Sequence, residues 1–484
     1  MKYTLEKSNE FIKQNLINKQ FYPVLNYSAP IGWINDPNGV SIYNNQYHLF
    51  YQYYPYDSKW GPMHWGHSVS EDGINWEDQP VALAPDQWYD KDGCFSGSAI
   101  EKDGKLYLMY TGHLNNEDEE SKRENQNIAI SEDGIHFTKY ENNPVLDESS
   151  IPAGTAVQDF RDPKMFEKDG VFYCLIGSRS LEGRGQVLLY RSDNLLEWVF
   201  VSVILEKSEY LGSMAECPDI LFLDEKDVLV VSAMDYYHKD KEKNYPHCTL
   251  MLEGKFNWET FKFDIYSVRE MDEGLDFYAP QSALDKDGTY FVIAWHQAWN
   301  RTYPTDVLKH SWTGQMTMPR QLYLEDGLIK QRFHPNIVGK LDKLYEVDEI
   351  LVEDLNFDEY RQLQFLSFET EVPLSLEFSS INKISKVTLE ITNQKLNFTR
   401  KESDILIYDS ESNDINKVGM SIYNGQARHH VEIILDRSSI QVIIDNYYAM
   451  SNTFYLDEPI DKINLVTDNI KNKINNLLIG TFIK

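Results

Sequence analysis

The chain has 484 residues, 13% of them aromatic, and a formal net charge of −30. That length allows two or more domains with a large buried core. The charge argues against nucleic acid or an anionic membrane surface as a partner and suits a small neutral molecule.

In chain order, residues 1–24 read as an N-terminal extension whose first 20 residues form a short polar surface helix. The stretch Met1–Lys7 has no apolar signal-like core, and no run in the chain is long enough to span a bilayer. Cys94, Cys174, Cys217 and Cys248 are scattered without ligand spacing and read as reduced thiols. A cytoplasmic protein is therefore expected.

The next segment, Trp33-Ile34-Asn35-Asp36-Pro37-Asn38-Gly39, holds one carboxylate between an aromatic ring and a Pro-Asn-Gly group. Pro fixes its own φ, and Asn-Gly tolerates the positive φ of a sharp reversal, so a turn is expected directly after Asp36. An acid held this rigidly suits a nucleophile; taken alone, it is as well explained as an ordinary loop Asp.

A degenerate repeat follows. Ser70-Glu71-Asp72-Gly73-Ile74-Asn75-Trp76 recurs as Ser131-Glu132-Asp133-Gly134-Ile135-His136-Phe137 and, more weakly, as Ser192-Asp193-Asn194-Leu195-Leu196-Glu197-Trp198, each copy 61 residues after the last. Hairpins centre on Asn44-Asn45, Asp103-Gly104, Asp169-Gly170, Glu225-Lys226 and Asp287-Gly288. Five such units, each large enough for four strands, predict a five-bladed β-propeller over residues 25–342. The acidic run Glu117-Asp118-Glu119-Glu120 reads as a solvated loop of the second blade. Beyond it, residues 343–484 carry strands without the blade marker, such as Val431-Glu432-Ile433-Ile434-Leu435, and predict a C-terminal β-sandwich. The fold class is all-β. No flexible linker marks the join, so the two parts should pack together.

Seven to nine residues before each hairpin turn lies a polar or aromatic cluster: Asn35-Asp36, Phe95-Ser96, Arg161-Asp162, Glu216-Cys217-Pro218-Asp219 and Asp276-Phe277-Tyr278. The offsets are odd throughout, which gives the clusters one phase on their strands unless bulges intervene. Innermost propeller strands start around the central funnel, so Asp36, Asp162 and Glu216 should meet at its mouth. Three carboxylates in an aromatic funnel indicate glycoside chemistry, in which one attacks the anomeric carbon, one protonates the leaving oxygen and a third steadies an oxocarbenium-like transition state.

The same residues resemble glycoside hydrolase family 32, the β-fructofuranosidases, including invertases and sucrose-6-phosphate hydrolases. The match rests on Trp33–Gly39 (with Ile34 where Met is usual), Arg161-Asp162-Pro163, Glu216-Cys217-Pro218-Asp219, Phe95-Ser96-Gly97-Ser98, Trp65-Gly66-His67, Trp312–Met316 and Pro319-Arg320. In the C-terminal part, Asp436-Arg437-Ser438-Ser439 matches a motif of the family's sandwich. Gln441 stands there where Glu is usual, and Asp445-Asn446-Tyr447-Tyr448 replaces an expected Asn-Asp-Gly turn.

The resemblance implies a retaining enzyme with Asp36 as nucleophile and Glu216 as general acid, then base, its pKa raised by burial and neighbouring carboxylates. Asp162 would stabilise the transition state, with Arg161 beside it as a bidentate donor to the sugar. Asn35, Gln52, Trp60, Phe95 and Ser96 would complete the fructose pocket. Tyr278 and Gln281 would line the leaving-group side or be structural, and His64 is equally divided between those roles. Trp295 and Trp299 read as core. No metal site and no cofactor are expected, because the twelve histidines show no ligand cluster.

The implied substrates are sucrose and short fructo-oligosaccharides, with sucrose 6-phosphate as the alternative if basic groups such as Arg179, Arg184 or His64 converge beyond the fructose. Fructosyl transfer competes for the same intermediate. An arabinan- or xylan-degrading propeller would not explain the opening motif, and a non-catalytic sugar-binding propeller should have lost one of the three acids.

Overall fold

The computed structural model describes residues 2–116, 122–206, 208–239, 243–355, 357, 363–410, 415–422, 428–468 and 471–482; the acidic run 117–120 lies outside them. The chain folds as a five-bladed β-propeller followed by a β-sandwich. The innermost strands of the blades are β1 (Gly32–Tyr43), β2 (Gly93–Lys102), β3 (Thr155–Lys168), β4 (Met214–Phe222) and β5 (Tyr278–Leu284). Each returns through a hairpin at the expected turn, with Tyr43 opposite Gln46, Lys102 opposite Lys105, Lys168 opposite Val171, Phe222 opposite Asp227 and Leu284 opposite Tyr290.

The repeat has a specific physical basis. In the first copy, Asp72 accepts the backbone N–H groups of Ile74 and Asn75, and Ser70 Oγ accepts that of Gly73. Asp133 with Ser131, and Asn194 with Ser192, do the same one and two blades later. The third copy has Leu195 where the others have Gly, yet it takes the same left-handed conformation (φ 69°, against 76° at Gly73 and 80° at Gly134). Side-chain caps of this kind hold a tight turn whose own backbone groups have no strand to pair with.

A separate apolar cluster fills each gap between neighbouring blades. Phe50, Trp65 and Leu108 lie between blades 1 and 2, Ile176 and Phe160 contribute between 2 and 3, Leu175 and Leu250 between 3 and 4, and Val230 and Val292 between 4 and 5. The ring closes where Ile293 and Phe291 of blade 5 meet Leu49 and Val40 of blade 1. There Gly32-Trp33 also pairs in parallel with Trp312-Thr313. Helix α1 (Leu5–Gln14) is capped by Thr4 Oγ1 and lays Leu5 and Ile12 against that same cluster.

The sandwich stacks a six-stranded sheet on a five-stranded one. The strand His429–Asp436 shows why its sequence alternates only in part. Val431, Ile433 and Leu435 face the sandwich core, while Ile434 packs with Phe333 and Met318 of the propeller. A strand covered on both faces need not alternate.

The Asp-Arg-Ser-Ser motif clamps the two parts together. Asp436 accepts the N–H groups of Val24, Leu25 and Asn26 at 2.7, 3.0 and 2.8 Å, and Ser438 Oγ donates to the Phe21 carbonyl at 2.8 Å. Asp276, grouped by sequence with the funnel clusters, belongs to this interface instead. It is fully buried between Arg301 and Arg400 and accepts from Thr453.

Candidate active site

The turn expected after Asp36 is not a turn. Trp33 to Gly39 lie within the continuous strand β1, which absorbs Pro37 and Gly39 in two bulges, one between Ile34 and Pro37 and one between Asn38 and Ser41. A bulge removes the ladder N–H that Pro lacks, and Gly39 takes φ +52° with its Cα against the Phe50 ring, where a side chain would collide.

The other four innermost strands have a bulge at the equivalent place: Phe95/Gly97 on β2, Arg161 to Lys164 on β3, Glu216 to Asp219 on β4 and Tyr278 to Gln281 on β5. On β3, β4 and β5 the bulge carries a non-glycine residue in left-handed conformation, Asp162 (φ 63°), Cys217 (φ 45°) and Ala279 (φ 50°). These bulges have a consequence for the site. On a flat strand neighbouring side chains point to opposite faces, yet the adjacent pairs Asn35–Asp36, Phe95–Ser96 and Arg161–Asp162 all line one cavity. The common phase read from odd offsets thus survives because every strand carries the same distortion.

That cavity, of about 250 Å³, is lined by Asn35, Asp36, Gln52, Trp60, Phe95, Ser96, Arg161, Asp162 and Glu216, together with Lys122 and Trp299. Trp33 Nε1 donates to Asn35 Oδ1 at 2.8 Å, and Asn35 Nδ2 donates to Asp36 Oδ1 at 3.0 Å. Ser96 Oγ donates to the other oxygen, Oδ2, at 2.6 Å. The Cys217 thiol points at Asp36 Oδ2 and Asp162 Oδ2, 3.6 Å from each, and its N–H donates to Asp162 Oδ2 at 3.0 Å.

The Arg161 fork is committed to carboxylates rather than left open for a sugar. Nε and Nη2 donate to Glu216 Oε1 at 3.2 and 2.9 Å, and Nη1 donates to Asp159 at 2.7 Å and to Glu124 at 3.3 Å. Burial would raise the Glu124 carboxyl, but Arg161 and Lys122 overcome it and hold that group well below the usual range. Gln52 Nε2 is held by the Cys94 carbonyl at 3.0 Å, and the Phe95 ring stacks on His113 at 4.2 Å.

Two residues expected against the leaving group sit elsewhere. Tyr278 is buried behind the cavity, where its hydroxyl donates to Glu216 Oε2 at 2.7 Å. Gln281 lies beneath the site in the axial channel, with its amide committed to the backbone of Val40 and Gly97 at 2.8 and 2.9 Å. His64 is also structural: it is fully buried, its Nδ1 sits 2.9 Å from the Pro62 carbonyl, and burial pushes its pKa down to about 3. Arg179 ion-pairs with Asp159 beside Arg161, while Arg184 is exposed on a turn.

Trp295 is core, as read from sequence, but Trp299 is a cavity wall, stacked on Trp33 at 6.1 Å. Lys122 was missed as well. Both lie at the funnel end of their blades, Lys122 opening the third strand of blade 2 and Trp299 four residues past Trp295. Position at that end, rather than residue type, was the available signal.

Burial raises the Asp36 carboxyl, the Ser96 and Asn35 donors pull it back, and the nearby Glu216 charge raises it again. Burial likewise pushes Asp162 up to about 7, against the pull of Arg161 and with the push of Glu216 and Asp36. Asp162 therefore holds its proton up to near neutral pH, where the neighbouring Glu216 and Asp36 charges oppose its release.

Between the ordinary Asp value of 3.8 and about 7 the folded chain holds a proton that the unfolded chain has released, so stability falls as pH rises through that window. Asp162→Asn should flatten this slope and raise the melting temperature at pH 8 relative to wild type more than at pH 4. Parallel melting profiles for the two proteins would contradict it.

A cavity of monosaccharide size with a gripped carboxylate, a second carboxyl on an Arg–Tyr clamp and aromatic walls defines a glycoside hydrolase centre. The chain belongs to glycosyl hydrolases family 32: residues 27–334 match that family's N-terminal domain. It is 34% identical to the sucrose-6-phosphate hydrolase of Zymomonas mobilis over 477 residues, covering 92% of this chain and 89% of that protein. Over 319 residues it is 40% identical to the raffinose invertase of Escherichia coli, covering 64% of each. Its fold superposes on the Bombyx mori GH32 β-fructofuranosidase with a TM-score of 0.82 at 29% identity, covering 99% of this chain and 97% of the other.

Proposed function

We propose that the chain hydrolyses terminal non-reducing β-D-fructofuranosides, sucrose and short fructo-oligosaccharides above all, by double displacement with retention of configuration. The observation that carries this reading is Asp36 itself, with each carboxylate oxygen fixed by a donor and its attacking face turned into a cavity it shares with Glu216. Asp36 attacks the anomeric carbon while Glu216 delivers its proton to the departing oxygen; Glu216 then takes a proton from water, which displaces Asp36. Asp162, beside the reacting ring, accepts hydrogen bonds from its hydroxyls and offsets the oxocarbenium charge. Tyr278 and Arg161 hold Glu216 in place for both steps. Four free thiols suit a reducing compartment, which supports a cytoplasmic setting.

A second reading, sucrose 6-phosphate as the physiological substrate, is favoured by Lys122 on the cavity wall and Arg179 nearby, and by the name of the Zymomonas relative. Both cations are paired with carboxylates, and the net charge of −30 works against an anionic substrate. Initial rates on sucrose, sucrose 6-phosphate, 1-kestose, inulin and levan decide between them. A preference of at least about tenfold in kcat/KM for the phosphorylated sugar, lost in Lys122→Met, is expected if the phosphate is recognised, because a charged hydrogen bond contributes about 1.5–3 kcal/mol. Equal efficiency on the two disaccharides would exclude a dedicated phosphate site, and no turnover of any fructoside would exclude the main reading.

A further inference from the structure

Next to the reactive cavity, but not lining it, lies a buried acid to which the double displacement assigns no part. Glu124 stands on the strand Lys122–Ser131, the third of blade 2. Its Oε2 accepts from the Phe160 N–H at 2.9 Å and from Arg161 Nη1 at 3.3 Å. Its Oε1 accepts from Lys122 Nζ at 3.2 Å and has His113 Nδ1 at 3.5 Å. Asp159 is likewise buried and outside the cavity lining. It accepts from the same Arg161 Nη1 at 2.7 Å and pairs with Arg179 and, at 3.6 Å, with Lys122.

The Arg161 guanidinium is a rigid plate with a different task at each end. Nε and Nη2 hold Glu216 Oε1, while Nη1 is held by Glu124 and Asp159. A planar fork pinned at one end has the direction of its other end fixed. Charge matters as much as direction. A general acid changes charge twice in each turnover, becoming a carboxylate when it gives its proton and neutral again when it takes one from water. Were Glu216 the sole partner of Arg161, each return to the acid would leave a buried cation uncompensated, which is costly. Arg161 and Lys122 keep Glu124 ionised, its carboxyl well below the usual range, so the counter-charge on the far side of Arg161 persists through the cycle. Glu216 also faces the Tyr278 hydroxyl, the Cys217 thiol and the Asp36 and Asp162 carboxyls. In the mechanism above those two carboxyls act on the reacting ring rather than on Arg161.

Taking Glu216 as the proton donor, as that mechanism does, we propose that Glu124 is a positioning residue for the reaction: a fixed anion that steers Arg161 onto Glu216 and lets Glu216 change charge without stranding the guanidinium. Glu124 touches neither the cavity nor the reacting atoms, so it acts wholly through Arg161. Without its charge, Arg161 leans on Glu216 for compensation, and the step that needs the Glu216 proton suffers.

The test compares kcat/KM for sucrose and for fructosyl fluoride in wild type, Glu124→Gln, Glu124→Asp and Asp159→Asn. The parameter covers the steps up to departure of the leaving group; the glucose oxygen needs a proton, whereas fluoride leaves as the ion. Gln keeps an oxygen for the Phe160 N–H and loses the charge. A charged hydrogen bond corresponds to roughly a ten- to hundredfold change, so Glu124→Gln should lower kcat/KM about thirtyfold for sucrose and less than about threefold for the fluoride. Glu124→Asp, which restores the charge, should recover part of the sucrose loss. Asp159→Asn removes the other standing charge without altering the acceptor of the Phe160 N–H. It should show the same selective loss, and it carries the comparison on its own should Glu124→Gln fail to fold. Equal losses on the two substrates, or no loss on either, would overturn the proposal, leave Glu124 a structural residue and keep the fructosidase reading intact. A wild type that cleaves neither substrate would overturn the reading on which the proposal rests.

Discussion

Asp36→Asn is expected to lower kcat/KM for sucrose by on the order of 10⁵-fold, the scale on which removal of a covalent nucleophile acts. The substitution is close to isosteric, and the amide keeps an oxygen for one of the two donors that grip Asp36, Ser96 Oγ and Asn35 Nδ2. It also removes a buried charge that Glu216 opposes. The fold should therefore be retained, and the melting temperature should not drop. That combination separates a chemical role from a structural one, because a merely structural Asp36 would lose stability and activity together. A variant that keeps more than about a hundredth of wild-type turnover would remove Asp36 from the nucleophile's place. Wild-type product released with inverted configuration would do the same, since retention is the signature of attack by an enzyme carboxylate.

The sequence made most of this architecture legible for local reasons. Four of the five hairpins are written in Asn, Asp and Gly at positions that take positive φ, as Asn44, Asn45, Asp103, Asp169 and Gly288 do, whereas the fourth turns on Glu225-Lys226. The blade period is written in the Ser-x-Asp turn, whose side chains cap their own backbone. Pairs such as Arg161–Asp162 marked the funnel because each stands an odd number of residues, seven to nine, before its hairpin turn.

What the sequence hid depends on the partner strand. The bulges that turn those pairs into the cavity are a mismatch of register between two strands, which no single strand spells out. The same holds for Gln281, whose amide stitches β1 and β2 across the channel, and for Tyr278, whose ring lies behind Glu216 rather than in front of it. His64 looked available because it sits beside Trp65. It is buried against Tyr54 and Tyr56 and also against Tyr3, a ring that the N-terminal extension brings from far away in sequence. The sandwich contributes Asp436 to the backbone of residues 24–26, ahead of β1, a contact between positions 410 to 412 apart in sequence that neither segment spells out alone.

Glu216→Gln should lower kcat/KM for sucrose by about 10³-fold, within the range of general acid–base catalysis. The amide still accepts from Arg161 through its oxygen, so the clamp on one side persists, but it has no acidic proton to deliver to the leaving oxygen. The loss should depend on the leaving group. A fructosyl fluoride departs without protonation, so its first step should be nearly spared, and the variant should accumulate a covalent fructosyl adduct on Asp36 because the second step lacks its base. Intact-protein mass spectrometry reads that adduct directly. Equal losses on sucrose and the fluoride, with no adduct, would take the acid–base role away from Glu216 and leave it as a partner of Arg161 alone.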